Sequence, residues 1–418
     1  MAMDKTGFTK VLAHTNNFTL RRVVERLREG LFDPFGVQVL TAREHQLDKV
    51  FDQGVHDLLQ NRAAHLCVCG AYGQGKSHTL SYLKERALKQ GFVASLINLD
   101  PREIPLHDFR RTYRALVSRI AFPDGTPSLV KMWRNWAKDG YKALITNDHK
   151  KDPTDPLSVI PKDMPHLFKA TLTALSNKNM PLSKRQRAFK KYAAFRPREF
   201  PWILANTLNG NAPPIYRLCH VLKYRQVSFY KDNSLVCKGW EPYFELVRTL
   251  AAMFQHMGYK GWVVLFDEAE STVQVPINVR RKNYLVLDRF FSTEKPMDGL
   301  YPIFALTNDF FAVVKNEEYD RVVTHDQKET RYFPKNYGHA WRRLNIHDLE
   351  GLAPKEWLAL AEKLILFHAK AYGWQPPDNQ LSEQLASVLS ETAAYEPRLK
   401  IKALVNQLDF AHQEMALN

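Results

Sequence analysis

Cysteine is scarce in this sequence, and neither a long apolar run nor a secretory leader is found. Four cysteines in 418 residues do not make a disulfide framework. Cys219, His220 and Cys237 have side chains that bind zinc, but no fourth partner follows at a suitable spacing, so we expect no zinc site. No apolar run is long enough to cross a bilayer, and the first residues lack the apolar block of a signal peptide. We therefore expect a cytoplasmic protein with no membrane segment.

Acidic residues are also in short supply relative to basic ones. The chain has 44 Asp and Glu against 59 Lys and Arg, which gives a formal net charge of +15. Such a surplus favours association with DNA or another polyanion through phosphate contacts. An acidic protein partner is the alternative. Neither an internal repeat nor a low-complexity tail is present, and the length predicts two or three structural units.

The hydrophobic spacing predicts helices around a few short apolar strands. Residues 18–60 have helical spacing, interrupted by a break at the segment FDPFGVQVL. A helix from about Lys76 to Gln90 lies between two apolar strands and is stopped by Gly91, which predicts a βαβ unit and a parallel sheet. The predicted strands are HLCVC, FVASLINL, WVVLF, YPIFALTN and a short WRRLNI. Two long helical stretches, 107–121 and 241–257, flank a looser, proline-containing region, and the chain after residue 350 reads as helical.

A glycine-rich loop follows the first apolar strand. Residues 70–77, GAYGQGKS, match G-x-x-x-x-G-K-[ST] at every specified position. The glycines let backbone N–H groups turn toward a phosphate, Lys76 supplies positive charge to the β- and γ-phosphates, and Ser77 offers a hydroxyl to Mg²⁺. The strand before and the helix after are the context that this motif requires, so the loop predicts binding of ATP and Mg²⁺. The candidate nucleotide-binding residues are Gly70, Tyr72, Gly73, Gln74, Gly75, Lys76, Ser77 and His78. His78 has no evident catalytic task and is expected to pack against a neighbouring helix.

Acidic residues end the apolar strand WVVLF. Asp267 and Glu268 follow it directly, as expected of a Walker B motif. Asp267 is the candidate metal residue together with Ser77, and Glu268 is the candidate base that polarises the attacking water. Glu270, two residues further, is expected to form a salt bridge rather than to catalyse.

Polar and basic residues later in the chain are candidates for contacts with the γ-phosphate. Asn308 ends the strand YPIFALTN and is the first choice, with Thr307 second; ordinary turn chemistry is the alternative. Arg342 and Arg343 precede a strand, where one of them could reach the nucleotide of a neighbouring subunit. Arg398 opens a C-terminal helix and could reach back to the same site. Each arginine could equally be an ordinary exposed side chain.

A strongly basic segment, LSKRQRAFKKYAAFRPREF at 182–200, is the candidate DNA-binding element. Aromatic residues are interleaved with the basic ones, and aromatics can stack on unpaired bases. Their spacing of three also fits an amphipathic helix whose aromatics pack inward, which is the preferred interpretation for the aromatics. A second cluster, VKMWRNWAKDGYK at 130–142, has the same two interpretations. The candidate DNA contacts are Lys184, Arg185, Arg187, Lys190, Lys191, Arg196 and Arg198.

Taken together, these motifs resemble the AAA+ superfamily of P-loop ATPases, in its ORC/STAND-like branch. The stretches GAYGQGKSHTL, GFVASLINLDPREIPLHDFRRTYRAL and GYKGWVVLFDEAE are similar to the BrxD-like ATP-binding proteins of BREX-type bacterial phage-defence islands. The resemblance covers roughly 18–121 and 241–400. It implies a bacterial ATPase that works beside other defence components, often including a helicase, on DNA. Residues 122–240 lie outside it, which leaves any partner carried over from the family open.

The predicted fold class is α/β: a parallel-sheet P-loop NTPase core of the AAA+ type with helical additions. The expected organisation is a helical N-terminal segment (1–62), a core (63–346) that contains a helical basic insertion (122–240), and a C-terminal helical lid (347–418).

The leading functional prediction is an ATP-hydrolysing AAA+ protein that couples its nucleotide state to DNA binding, or to assembly with a helicase or effector, and that forms homo-oligomers or ATP-dependent assemblies. The alternative is a nucleotide-gated scaffold with little turnover. A helicase acting alone is less favoured, because the chain has one P-loop and no second set of RecA-like motifs.

Overall fold

The computed structural model of the protein describes residues 5–146, 155–176, 199–211, 213–227, 235–292, 296–316, 322–325, 328–377, 380–391 and 396–417. The strands are β1 Leu66–Cys69, β2 Val93–Asn98, β3 Ile120–Ala121, β4 Trp262–Asp267, β5 Leu300–Leu306, β6 Val322–His325, β7 Lys328–Arg331 and β8 Ile346–Asp348. The first helices are α1 Lys5–His14, α2 Asn17–Arg28, α3 Pro34–Leu40, α4 Glu44–Leu59, α5 Lys76–Lys89, α6 Phe109–Ser118, α7 Leu129–Thr146 and α8 His166–Ser176. The remaining helices are α9 Phe200–Leu208, α10 Ile215–Tyr224, α11 Glu241–His256, α12 Ile277–Phe291, α13 Asn308–Asn316, α14 Tyr337–Ala340, α15 Pro354–Tyr372, α16 Gln380–Glu391 and α17 Pro397–Leu417.

Six strands form one sheet in the order β3-β2-β4-β5-β1-β8. All neighbouring pairs are parallel except β2 with β3. The structure therefore confirms an α/β fold with a mostly parallel sheet, which is compatible with a P-loop NTPase core. Because the strands are parallel, the residues that follow β1, β4, β5 and β8 all emerge at the same edge.

The two faces of the sheet belong to different apolar clusters. Alternate residues of a strand point to opposite faces, and β1 follows this rule: Cys67 and Cys69 join one cluster, whereas Leu66 and Val68 join the other. Both cysteines are free and buried, so they act as small packing residues, as predicted. Helices α4 and α5 cover the second face, and α6 to α12 contribute to the first.

The two ends of the chain share a third apolar cluster. Residues of α2, such as Leu20 and Val23, pack with Leu364 and Phe367 of α15 and with Leu404 of α17. The burial of these apolar side chains against one another is the main force that holds the helices together. The boundaries proposed at 62, 122, 240 and 346 stay predictions.

Two local predictions are wrong. The segment FDPFGVQVL, predicted to be a break, contains helix α3. The Asp33 side chain accepts a hydrogen bond from the N–H of Phe35 (2.9 Å) and Pro34 occupies the first turn, and both features favour a helix start. In the segment WRRLNI, residues Trp341–Arg343 form a 3₁₀ turn, and strand β8 starts only at Ile346.

The 3₁₀ turn has a side-chain cause. Trp341 is buried, and its indole N–H donates to Asp288 (3.1 Å). The chain meets the sheet a little later, where the N–H of Asn345 donates to Nε2 of His65 (3.1 Å) next to β1. Residues 341–344 therefore lead the chain to the sheet, and pairing with β1 begins at the carbonyl of Asn345, which accepts the N–H of Cys67 (2.8 Å).

Candidate functional site

The glycine loop connects β1 to α5. Gly73 and Gly75 have φ angles of 80° and 90°, in the left-handed region that only glycine adopts without strain. The loop is braced from within, since the N–H of Ala71 donates to Oε1 of Gln74 (2.6 Å). Gly75 is the N-cap of α5, so the unpaired N–H groups of the first helical turn face the cavity described below and can bind an anion.

Lys76 is the first residue of α5 and is buried, with 8% of its surface exposed. Its ammonium donates to the carbonyl oxygens of Gly70 (3.1 Å) and Ala71 (3.3 Å). A third contact joins Nζ to Oε1 of Glu270 at 3.7 Å. The lysine is thus held over the loop that carries it, in a place where an anion could also reach it.

The acidic residues emerge where β4 ends. Asp267 is its last residue, and its Oδ1 accepts a hydrogen bond from the N–H of Glu268 (3.0 Å). Glu268 has a left-handed backbone (φ 52°) and an exposed side chain. Glu270 lies in the following 3₁₀ turn and is largely buried, and burial raises the pKa of its carboxyl. The salt bridge predicted for Glu270 is present, and its partner is Lys76.

Strand β5 lies between β1 and β4. Two interstrand spacings separate the glycine loop from the acids, roughly 10 Å at the sheet edge. Ser77, Asp267 and Glu268 line the same cavity as the loop. A gap of this size between the glycine loop and a carboxylate can accept phosphates and a hydrated cation.

The cavity over this edge has a volume of about 890 Å³. The N-terminal helices and the C-terminal helices form its other walls: Val37 and Leu40 come from α3, and Trp357 and Leu360 come from α15. All four side chains are apolar and almost fully buried, and each exposes only a small part of its surface to the cavity. Polar groups at one end and an apolar slot at the other are the usual make-up of a small-ligand site.

His78 joins the loop helix to the N-terminal helices, as the packing interpretation predicted. Its Nε2 lies 2.8 Å from Oγ1 of Thr41, and its ring meets the ring of Phe32 edge-on at 6.2 Å. Because the Thr41 hydroxyl donates its hydrogen to the carbonyl of Val37, Nε2 of His78 is the donor in this pair. Burial lowers the pKa of His78 to about 4, so the ring is neutral near pH 7.

The C-terminal helices bring two further charged residues to the cavity. Arg398, in the first turn of α17, packs so closely on Gly30 that a Cβ there would lie 2.7 Å from its Nε. Glu396 lies against the glycine loop, where a Cβ on Gly73 would be 3.2 Å from its Cγ. The place of Arg398 was predicted from the sequence. That of Glu396 was missed, because a single acid before a proline has no sequence signal.

Three predicted residues do not line this cavity. Asn308 is exposed at the start of α13. Arg342 and Arg343 are exposed in the 3₁₀ turn before β8, at the amino-terminal edge of the sheet, because the neighbouring Asn345 contacts His65 just ahead of β1. The distance between the two edges separates both arginines from the glycine loop of their own chain, and a role toward a neighbouring subunit stays a prediction.

The basic segment at 182–200 lies almost wholly outside the described residues. All seven candidate DNA contacts, Lys184, Arg185, Arg187, Lys190, Lys191, Arg196 and Arg198, fall in the undescribed stretch 177–198. The second basic cluster is visible in α7, where Trp133 is buried and its indole donates to the carbonyl of Leu172 (2.8 Å). Lys131, Arg134 and Lys138 are exposed on the same helix. In that cluster Trp133 packs inward and these three basic side chains face solvent.

The described residues lack the features of two other classes of site. They contain no helix that is both long and apolar enough to span a bilayer. They also contain no group of three or more His, Cys, Asp and Glu residues placed to hold a metal ion. A magnesium ion that arrives with a nucleotide needs fewer protein ligands, since phosphate oxygens and water complete its shell. Ser77 and Asp267, an oxygen donor on each side of the cavity, suit that requirement.

A protein-family model described as BREX system ATP-binding protein BrxC/D matches residues 17–183 and 240–418. The match includes the glycine loop, the acids after β4 and the C-terminal helices, and it leaves out 184–239. No curated protein and no solved structure gave a significant match.

Proposed function

The chain belongs to the family of BREX system ATP-binding proteins, and on that premise we propose that it is a Mg²⁺-dependent ATPase of the AAA+ type that serves phage defence. The observation that supports the proposal most strongly is the cavity at the carboxyl edge of the sheet. It collects the glycine loop, the acids after β4 and an arginine from the C-terminal helices. Each of the three supplies a part that phosphoryl transfer requires.

The triphosphate would bind along the glycine loop. The N–H groups of the loop and of the first turn of α5 donate to phosphate oxygens, and Lys76 neutralises their charge. The adenine would occupy the apolar slot between α3 and α15, where the side chain of Val37 and the flat indole of Trp357 offer apolar surface. This orientation supports a role for the C-terminal helices as a lid over the bound nucleotide.

Ser77 and Asp267 would hold Mg²⁺, which when bound offsets the negative charge of the phosphates. Glu268 is exposed to the cavity and is free to take the proton of a water molecule that attacks the γ-phosphate. Arg398 approaches from the lid side and would stabilise the charge of the transferred group. These contributions come from three separated parts of the chain, so hydrolysis would require the C-terminal helices to be in place.

The net charge of +15 supports DNA as the partner whose binding depends on the nucleotide state of the protein. Other defence proteins, such as a helicase, and further copies of this chain are the remaining proposed partners. A neighbouring copy would give Arg342 or Arg343 a nucleotide to contact, since neither lines the cavity of its own chain.

A nucleotide-gated scaffold with little turnover is the second candidate. The observation that favours it is the position of Asn308, Arg342 and Arg343 outside the cavity, because an isolated chain then lacks part of the γ-phosphate contacts. On this view ATP binding brings partner proteins together, and slow hydrolysis only limits how long the assembly lasts.

The decisive experiment measures ATP binding and hydrolysis by the purified protein with and without single- and double-stranded DNA. We expect Glu268→Gln to lower the hydrolysis rate by about 10²- to 10⁴-fold, the usual contribution of a general base, and to leave ATP affinity within about threefold of the wild type. Lys76→Ala should abolish binding. Normal hydrolysis by Glu268→Gln would show that another residue is the base. Flat, near-zero turnover with intact binding would favour the scaffold.

A further inference from the structure

Lys76 has an acidic neighbour that ATP binding alone does not explain. An ammonium group has three hydrogens to donate. In this structure three oxygens surround it: two carbonyls of the glycine loop at 3.1 and 3.3 Å, and the Glu270 carboxylate at 3.7 Å. Both charged side chains are largely buried, with 8% and 12% exposed. A phosphate oxygen that approaches the ammonium therefore meets a group that already has three oxygen neighbours.

Glu270 is fixed in this position by its backbone neighbours. Ser271 donates through its hydroxyl to the carbonyl of Leu99 (3.2 Å) at the end of β2, and Asn283 of α12 donates to the carbonyl of Thr272 (2.8 Å). Ala269, on the other side, is fully buried. The 3₁₀ turn is therefore clamped to the sheet and to a helix, and the carboxylate cannot leave the lysine by a simple movement of the loop.

The negative charge of the Glu270 carboxylate is in turn stabilised by the lysine. Its Oε2 is buried and has no hydrogen-bond partner among the described residues. A buried charge is costly unless an opposite charge lies nearby, and Lys76 is the cation that its Oε1 contacts. A triphosphate that enters the loop competes for the same ammonium and brings several negative charges close to Glu270.

We propose that Glu270 is a positioning residue that holds Lys76 in the nucleotide-free site and competes with the incoming phosphates for it. Glu270 then stabilises the empty state, lowers the affinity for ATP and speeds nucleotide release. Glu268, which is exposed, has no such contact with the lysine and keeps the separate role proposed above. This inference rests on the proposed binding of ATP at the glycine loop.

The test is a fluorescence titration and a stopped-flow displacement with the N-methylanthraniloyl derivatives of ATP and ADP, in Mg²⁺ and in EDTA. Removal of one charge a few ångströms from the phosphates should change affinity by roughly tenfold. We expect Glu270→Gln to bind the ATP derivative about tenfold more tightly, mainly through slower release, and to show a smaller gain for the ADP derivative, which has one phosphate fewer. The effect should be largest in EDTA, where no cation offsets the repulsion.

Two variants act as matched comparisons. Glu270→Asp keeps the charge but withdraws it from the lysine by one methylene, so it should give a smaller gain than Glu270→Gln. Glu103→Gln removes the same charge from an exposed acid at a separate cleft and should leave both affinities unchanged. Thermal unfolding of each variant without nucleotide checks that the fold is retained. If Glu270→Gln does not fold, a gain in affinity by Glu270→Asp supports the proposal and its absence overturns it.

The results separate this inference from the function on which it rests. Unchanged or weaker binding by folded Glu270→Gln, with Lys76-dependent binding in the wild type, overturns the role of Glu270 alone. Unchanged binding together with lost hydrolysis would also overturn it and would assign Glu270 to the hydrolytic step instead. A wild-type protein that binds neither derivative, or a Lys76→Ala variant that binds as well as the wild type, overturns the proposed ATP site itself.

Discussion

At the scale of single residues, burial determines the protonation state of His65. This residue directly precedes β1, is 6% exposed, and accepts a hydrogen bond from the N–H of Asn345 through Nε2. Burial lowers its pKa from 6.5 to about 4. A protonated ring would have no acceptor left for Asn345, so the approach to β8 requires the neutral form.

The pH dependence of stability follows from this shift. Between pH 6.5 and 4 the unfolded chain binds a proton at His65 that the folded chain does not. The neutral His65 therefore causes no loss of stability above pH 6.5, and the free energy of unfolding falls as the pH decreases below that value. We expect the free energy of unfolding in urea to fall by about 2–3 kcal/mol less between pH 7 and 4.5 in His65→Gln than in the wild type. Glutamine keeps an acceptor but does not titrate. The exposed His14→Gln should behave as the wild type, and parallel losses in all three proteins would contradict the assignment.

The residue scale also shows where sequence patterns succeed. Lys76, Ser77, Asp267 and Glu268 were predicted from motifs, because a motif is a run of neighbouring residues on a strand and the turn after it, and the structure brings all four to one cavity. Their chemical roles stay predictions. Glu270 could be assigned a salt bridge from sequence, but its partner depended on how β4 lies relative to the loop.

At the scale of elements, the start of the pairing between β4 and β5, at the sheet edge opposite the cavity, depends on close contact between two glycines. Gly261 precedes β4 with φ 137°, and a Cβ there would lie 2.2 Å from the carbonyl oxygen of Gly299, just before β5. The same carbonyl accepts the N–H of Trp262 (2.7 Å) and so starts the pairing of the two strands. The register that aligns the acids with the glycine loop begins at this contact.

Gly261→Ala should therefore destabilise the sheet more than a glycine change without the contact. We expect a loss of about 3 kcal/mol or more, from backbone strain together with a clash against backbone that cannot move aside. Gly258→Ala is the control, because Gly258 also has a positive φ (95°) but nothing within 4 Å of the added carbon; it should lose only about 1 kcal/mol. Urea unfolding monitored by circular dichroism measures both, and equal losses would contradict the role of the contact.

At the scale of the whole molecule, the first and last helices form one unit that walls the cavity. Arg28 of α2 donates through Nε and Nη2 to the carboxylate of Asp409 in α17, both at 2.8 Å. Asp409 is also 3.0 Å from Nε2 of His368, and the indole of Trp374 donates to the other nitrogen of that ring (2.9 Å). The chain termini are thus joined by a connected polar network above their shared apolar cluster.

Arg28→Ala tests whether the two ends unfold together. The change leaves a half-buried carboxylate without its main partner, and we expect a loss of about 1–2 kcal/mol in the free energy of unfolding. Hydrogen exchange should accelerate in α2 and in α17 alike. Arg26→Ala removes an exposed arginine from the same helix, and we expect it to change neither the free energy of unfolding nor the exchange of these helices. Faster exchange confined to α2 would show that the ends are independent.

The sequence by itself determined the local parts of this protein: the glycine loop, the acids after an apolar strand, the helical ends and the α/β class. These depend on the chemistry and spacing of residues that are close along the chain, so no long-range contact is needed to recognise them. Tertiary structure alone decided which distant segments meet. Glu396 on Gly73, Arg398 on Gly30 and Thr41 on His78 join segments whose encounter depends on how three apolar clusters pack, and packing has no signature in spacing along the chain.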